Sequence, residues 1–278
     1  MNLDFSDDQK FLQEEARKFL EKENVLSRNR SVLENNANVD IELWNKIVEL
    51  GWTGIRIPEE YSGLGLGHLE LCVIAEELGR FLAPVPFSSS VYLFTEAIIN
   101  YANDDIKKEI LPKLVSGEVI GTLAVAEDLQ APTADNISLQ SDNNILNGKK
   151  IAVPDAEIAT HAIVVAKTSS GISLQLVDLN ADGVKIEKQE NIDESRGYFS
   201  ILFENSPSKL IGDETGGWDF YEALMNQAAV LFGYEQIGGS QAALDMAINY
   251  SKERYAFGRQ IGSFQAIKHK LADMYIAL

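Results

Sequence analysis

The spacing of apolar residues changes twice along this chain of 278 residues, and that change limits the folds open to it. Up to about residue 117 the period is helical. Ser6-Asp7-Asp8-Gln9 has the spacing of a capping box, and Phe11, Leu12, Ala16, Phe19 and Leu20 then recur on one helix face. A second helix is expected from about Asp40 to Leu50, with Gly51 ending it. Residues 68–82 and 89–101 read as buried helices, and Leu111-Pro112 as the neighbourhood of a further helix start. From about Val119 to Leu210 the period drops to two, as in Ile172-Ser173-Leu174-Gln175-Leu176 and Tyr198-Phe199-Ser200-Ile201-Leu202-Phe203. Turn signals stand at Asp142-Asn143-Asn144, Asn147-Gly148 and Ser169-Ser170-Gly171. After Gly216-Gly217 the helical period returns. The reading is an α+β chain: an N-terminal α-helical domain over 1–117, a middle antiparallel β domain over 118–215, and the first part of a C-terminal helical bundle over 216–278.

The densest chemistry lies in that last part. Arg254-Tyr255-Ala256-Phe257-Gly258-Arg259-Gln260-Ile261-Gly262-Ser263-Phe264-Gln265 forms a glycine-broken corner between two helical stretches. Around it Lys252, Arg254, Arg259, Lys268 and Lys270 face one acid, Glu253, on a chain whose formal net charge is −18. A local reversal of sign next to a helix start points to an anionic ligand. A solvated helix–loop–helix corner is the plainer reading of the same residues. Gly258 and Gly262 allow a sharp turn, and Ser263 is placed to cap the second helix.

This corner resembles the signature of the flavin-dependent acyl-CoA dehydrogenases, E-R-x-x-F-G-x-x-I-x-x-F-Q. Two further stretches agree in order and spacing. Gly51-Trp52-Thr53-Gly54-Ile55-Arg56-Ile57-Pro58-Glu59-Glu60-Tyr61-Ser62-Gly63-Leu64-Gly65 is similar to the family's N-terminal signature. Ile145-Leu146-Asn147-Gly148-Lys149-Lys150 is similar to its middle-domain strand turn. The resemblance covers essentially the whole chain. It implies helices, a β domain and a helical bundle, with FAD between the last two and the bundle making the dimer. It implies an oxidoreductase acting on CH–CH bonds of an acyl-CoA in fatty acid or sterol breakdown. Electrons would pass to an electron-transferring flavoprotein, from a homo- or hetero-oligomer such as a dimer of dimers. The residues matching Arg254, Phe257 and Gln265 contact FAD held mainly by the neighbouring subunit. A guanidinium fork suits a diphosphate, and an amide suits an adenine edge or a ribose hydroxyl. Phe264 and Ile267 fit the core better.

Other positions depart from the family pattern. Its Thr-Glu-x-Gly-x-G-Ser stretch stands here as Ala126-Glu127-Asp128-Leu129-Gln130-Ala131-Pro132-Thr133. Its Trp-Ile-Thr, a stacking ring and a hydroxyl, falls on Ile151-Ala152-Val153. Aliphatic side chains supply neither function. The chemistry also needs a carboxylate to take the α-proton of the thioester. One of the family's two locations for it matches Ala228, and the arginine after it matches Ala229; the other lies beyond Leu278. Glu235 shares the helix face of Ala228, displaced by roughly 10 Å. The catalytic residue is therefore left unassigned. Three readings stay open: an eroded subunit of a heteromeric, sterol-type enzyme; a homomeric enzyme whose base lies in an absent C-terminal part; and a non-catalytic structural subunit.

Composition excludes several other classes. No apolar run approaches the roughly 20 residues of a membrane span. The acidic start Met1-Asn2-Leu3-Asp4-Phe5 has no secretory pattern, and the net charge argues against nucleic acid. A lone Cys72 in an apolar stretch reads as a buried small hydrophobe in a reducing, cytoplasmic setting. His68, His161 and His269 lack metal-ligand spacing. Gly63-Leu64-Gly65-Leu66-Gly67 lacks the third glycine of a dinucleotide loop, His68 standing in its place. The last helix carries Phe264, Ile267, Leu271, Met274, Tyr275 and Leu278 on one face, as in half of a bundle that further chain or a partner would complete.

Overall fold

A computed structural model of the chain describes residues 4–278. The helices before the sheet are α1 (Asp7–Lys22), α2 (Val25–Glu34), α3 (Ile41–Glu49) and α4 (His68–Phe81). A π-helix (Ser88–Thr95) then runs into α5 (Glu96–Tyr101), and α6 (Asp104–Val115) follows. The capping box forms as expected: Ser6 Oγ accepts from Gln9 N, and the Gln9 side chain accepts from Ser6 N. Asp40 caps α3 by accepting from Leu43 N at 2.9 Å, and Gly51 leaves it at φ 76°. Pro112 lies inside α6 rather than near its start. Asn103 starts that helix by accepting from Ile106 N at 2.9 Å, a local bond that settles the boundary ahead of the proline.

The strands are β1 (Gly121–Ala124), β2 (Gln140–Asp142), β3 (Ile145–Pro154), β4 (His161–Lys167), β5 (Ile172–Asp178), β6 (Val184–Gln189), β7 (Tyr198–Pro207) and β8 (Lys209–Ile211). They form one sheet in the order β6-β7-β3-β2-β4-β5-β8, with β1 beside β4. The sheet is mixed, not wholly antiparallel. β1 and β2 both run parallel to β4, because each reaches it by a long connection instead of a hairpin. Asn143 (φ 50°) and Asn144 (φ 62°) make the tight turn between β2 and β3. Asn147-Gly148 is no turn; it lies within β3, where the register against β7 slips after Leu146. Leu146, Val153, Val164, Phe199, Ile201 and Phe203 are buried together in the β core.

After the sheet come α7 (Gly217–Glu253), the two-residue strands β9 (Tyr255–Ala256) and β10 (Arg259–Gln260), and α8 (Gln265–Ala277). Contacts divide the chain into two units that cut across the order of elements. One comprises residues up to Leu26, Cys72–Ala83 and Val230–Leu278; the other comprises Ser27–Leu71 and Pro84–Ala229. In the first, α4 and the second half of α7 meet at glycines. A Cβ on Gly79 would lie 2.1 Å from Glu235 O, and one on Gly238 would lie 1.9 Å from Glu76 O. Arg80–Asp245 (2.7 Å) and Arg17–Glu77 (2.5 Å) pair around this crossing. Cys72 is buried, as its surroundings implied.

Candidate functional site

The basic corner folds into a miniature hairpin. Ala256 pairs with Arg259 and Tyr255 with Gln260, and Ile261 N donates to Arg254 O at 2.8 Å to close the base. The turn residues are Phe257 (φ 52°) and Gly258 (φ 80°), both in the left-handed region that two-residue hairpins require. Glycine adopts it freely, whereas phenylalanine is strained there. Phe257 is 96% exposed at the tip. The Arg259 guanidinium lies 4.0 Å from the Phe264 ring, and Phe257 meets the same ring edge-on at 6.3 Å. Gly262 packs against Ser251, where a Cβ would come 2.9 Å from Ser251 O.

Ser263 does not cap α8. It belongs to a 3₁₀ turn, and its hydroxyl donates to Gln260 O at 2.6 Å; Phe264 occupies the cap position without a side-chain bond. Arg254, Phe257 and Gln265 are all exposed, on the hairpin and at the start of α8. Among the described residues neither the Arg254 guanidinium nor the Gln265 amide has a side-chain partner. The hairpin and the start of α8 thus expose a guanidinium, an aromatic ring and an amide close together in sequence. These are the groups that a dinucleotide with its diphosphate needs.

The β-domain positions behave in the opposite way. Val153 is 1% exposed and pairs with Phe199 inside the core, so the residues beside it that face the other way are Ala152 and Pro154. The register against β7 is irregular between Lys150 and Val153, with Ala152 at φ 51°, and the exposed residue there, Ala152, brings neither a ring nor a hydroxyl outward. The polar groups of the stretch are consumed internally. Ile151 N donates to Ala126 O (2.8 Å), Ala152 N to Gln189 Oε1 (2.7 Å), and Thr122 Oγ1 to Pro154 O (2.6 Å). Glu127 accepts from Leu139 N (3.0 Å), from the backbone and hydroxyl of Ser138, and from Lys150 Nζ (2.7 Å). Lys150 is fully buried and also donates to Val125 O (2.8 Å); burial pushes its amine down to about 8 against the pull of Glu127. These residues do not fit an isoalloxazine, while those of the hairpin fit the rest of an FAD.

On α7, Ala228 is fully buried and Ala229 exposed, and neither can move a proton. Glu235 is half-buried, with its backbone under Gly79 of α4. Two side-chain groupings escaped the sequence reading. Arg196 Nη2 donates to Ser88 Oγ at 2.6 Å and meets Asp155 Oδ2 at 3.3 Å, with Ser89 donating to that oxygen at 2.6 Å. Glu96 gathers Arg56, Gln227 and His68. Their hydrogen-bonded partners lie 40 to 159 residues apart, beyond any local pattern.

Comparisons with known proteins agree with this architecture. The family described as acyl-CoA dehydrogenase, N-terminal domain matches residues 6–118, and acyl-CoA dehydrogenase, C-terminal domain matches 215–278. The mitochondrial 2-methylacyl-CoA dehydrogenase of Solanum tuberosum is 31% identical over 98% of this chain and 70% of its own length. The solved structure of a steroid ACAD variant is 29% identical with a TM-score of 0.85, covering 97% of this chain and 73% of that one. Butyryl-CoA dehydrogenase from Megasphaera elsdenii shares the fold at a TM-score of 0.92 and 24% identity, over 99% of this chain and 77% of that one. By matched domains, by sequence and by fold, the chain belongs to the acyl-CoA dehydrogenase family.

Proposed function

We propose that the chain serves in FAD-dependent α,β-dehydrogenation of an acyl-CoA, as a subunit lending Arg254, Phe257 and Gln265 to a cofactor held mainly by another chain. FAD is the cofactor of the family. The observation that carries the division of labour is the contrast between the exposed Arg254 and Gln265, which make no side-chain bond among the described residues, and a β domain whose matching groups are aliphatic or already bonded. When bound, the flavin would accept hydride from the β-carbon of the thioester. This chain's part is to bind and orient: Arg254 neutralises diphosphate charge, Phe257 covers an apolar face, and Gln265 supplies an amide. Ala228 and Ala229 leave the α-proton to a carboxylate elsewhere in the assembly.

The likeness to a steroid ACAD supports a bulky, sterol-type acyl group. An electron-transferring flavoprotein is the expected acceptor. Among the described residues no helix is long and apolar enough to cross a membrane. The test is a visible flavin spectrum of the chain purified alone and together with the product of its neighbouring gene. Flavin only in the co-purified complex is expected. Stoichiometric flavin in the lone chain, reduced by an acyl-CoA, would overturn the division of labour in favour of a homomeric enzyme. No flavin in either would leave the structural-subunit reading.

A further inference from the structure

Glu96, the first residue of α5, is a carboxylate with no solvent exposure. Its Oε1 accepts from Arg56 Nε at 2.9 Å, and Arg56 Nη1 also donates to Leu66 O at 2.9 Å. Its Oε2 accepts from Gln227 Nε2 at 2.7 Å. The same amide nitrogen contacts His68 Nε2, which itself lies 3.6 Å from Glu96 Oε2. Four elements meet here: the loop after α3, the start of α4, α5 and α7.

Neutral His68 with its proton on Nδ1 and protonated His68 pair differently with these donors and acceptors. A side-chain NH2 has two hydrogens, so Gln227 can serve Glu96 with one and His68 with the other. The second bond needs a bare Nε2 lone pair, hence a neutral imidazole carrying its proton on Nδ1. A protonated ring has no lone pair and can only donate; the nearest acceptor is Glu96 Oε2. The two states exclude one another. We propose that this cluster is a proton-operated latch: neutral His68 fixes the second hydrogen of Gln227 and with it a turn of α7, while protonated His68 gives up that bond and pairs with Glu96, leaving Gln227 held by Glu96 alone.

The charges facing His68 fix the direction. Burial and the Arg56 guanidinium hold its imidazole below the ordinary value, with Glu96 opposing them. Its place as the first residue of α4 also disfavours a cation. On α4 itself Glu70 turns its carboxylate to Gly67 N at 2.9 Å, and α7 presents the neutral Gln227. The latch is therefore closed at neutral pH and opens on acidification. Gln227 directly precedes the buried Ala228, so opening loosens that turn of α7 without touching the exposed hairpin residues.

The experiment follows the His68 ring and the Gln227 side-chain amide by nitrogen NMR on the whole chain, from about pH 8 to about pH 5. Both are expected to titrate with one midpoint. Gln227→Met keeps the shape but removes the donor, and should raise the His68 midpoint by about half a unit or more. Glu96→Gln should lower it, and where that variant fails to fold, Gln227→Met alone decides. Amide exchange over residues 224–231, corrected for intrinsic pH dependence, should accelerate through the same midpoint in the parent chain and stay flat in His68→Gln. A Gln227 amide indifferent to the His68 titration, or a midpoint unmoved by Gln227→Met, would refute the latch.

Discussion

Phe257 combines a φ of 52° with 96% exposure, a conformation costing about 1–3 kcal/mol for a side chain that packs little within its own chain. Asparagine tolerates that region far better. Phe257→Asn should therefore stabilise the isolated chain by up to about 1 kcal/mol in denaturant titrations, yet weaken flavin retention in the complex. Arg254→Ala should leave the fold intact. Losing a charge-assisted bond worth about 1.5–3 kcal/mol predicts a fall of about 10- to 150-fold in flavin affinity, read by titrating the apo-complex. Lys150 gives a pH signature. Its folded-state amine sits near 8, below the unfolded value, so the unfolded chain binds more protons above that point. Stability should accordingly rise with pH from about 8 to about 10.5, and Lys150→Met should abolish that rise in pH-dependent melts.

At the scale of elements, legibility in the sequence tracked the range of the deciding interaction. Ser6 and Gln9 lie three apart and bond each other, so the start of α1 could be read directly. The same holds for Asn143-Asn144, whose turn depends on its own backbone. Asn147-Gly148 has the same local chemistry, but β7 pairs on across it, so a tertiary ladder overrode a turn signal. The parallel partners of β4 and the Glu96 cluster depend on contacts that no local period encodes. The glycine crossing of α4 and α7 was equally hidden, although it makes the sharper prediction. Alanine in a helix is worth about 1 kcal/mol over glycine. At Gly79 the new methyl would press into the backbone of Glu235, which cannot rotate away as a side chain could. Overpacking of about 1–3 kcal/mol should win, and Gly79→Ala should lower the denaturation midpoint without changing its slope.

For the molecule as a whole, the hairpin and the β domain give different answers about one cofactor, and counting that cofactor separates them. The hairpin and the start of α8 expose Arg254, Phe257 and Gln265, while in the β domain the Ala152 amide is bonded to Gln189 and Glu127 to the buried Lys150. Under the proposed division of labour, such a chain contributes to a site without owning one. In a symmetric assembly with an equal number of flavin-holding partner chains, the complex should then carry about half as many flavins as chains. On the proposed function, Arg254→Ala in this chain should reduce that number even though the partner would hold most of the flavin. Substitution at Ala152, in a β domain that on this proposal holds no flavin, should leave it unchanged. Absorbance of flavin against total protein, measured on the purified complex and on both variants, checks all three statements. A ratio near one flavin per chain, or a loss caused by changing Ala152 and not Arg254, would place a complete site in this β domain.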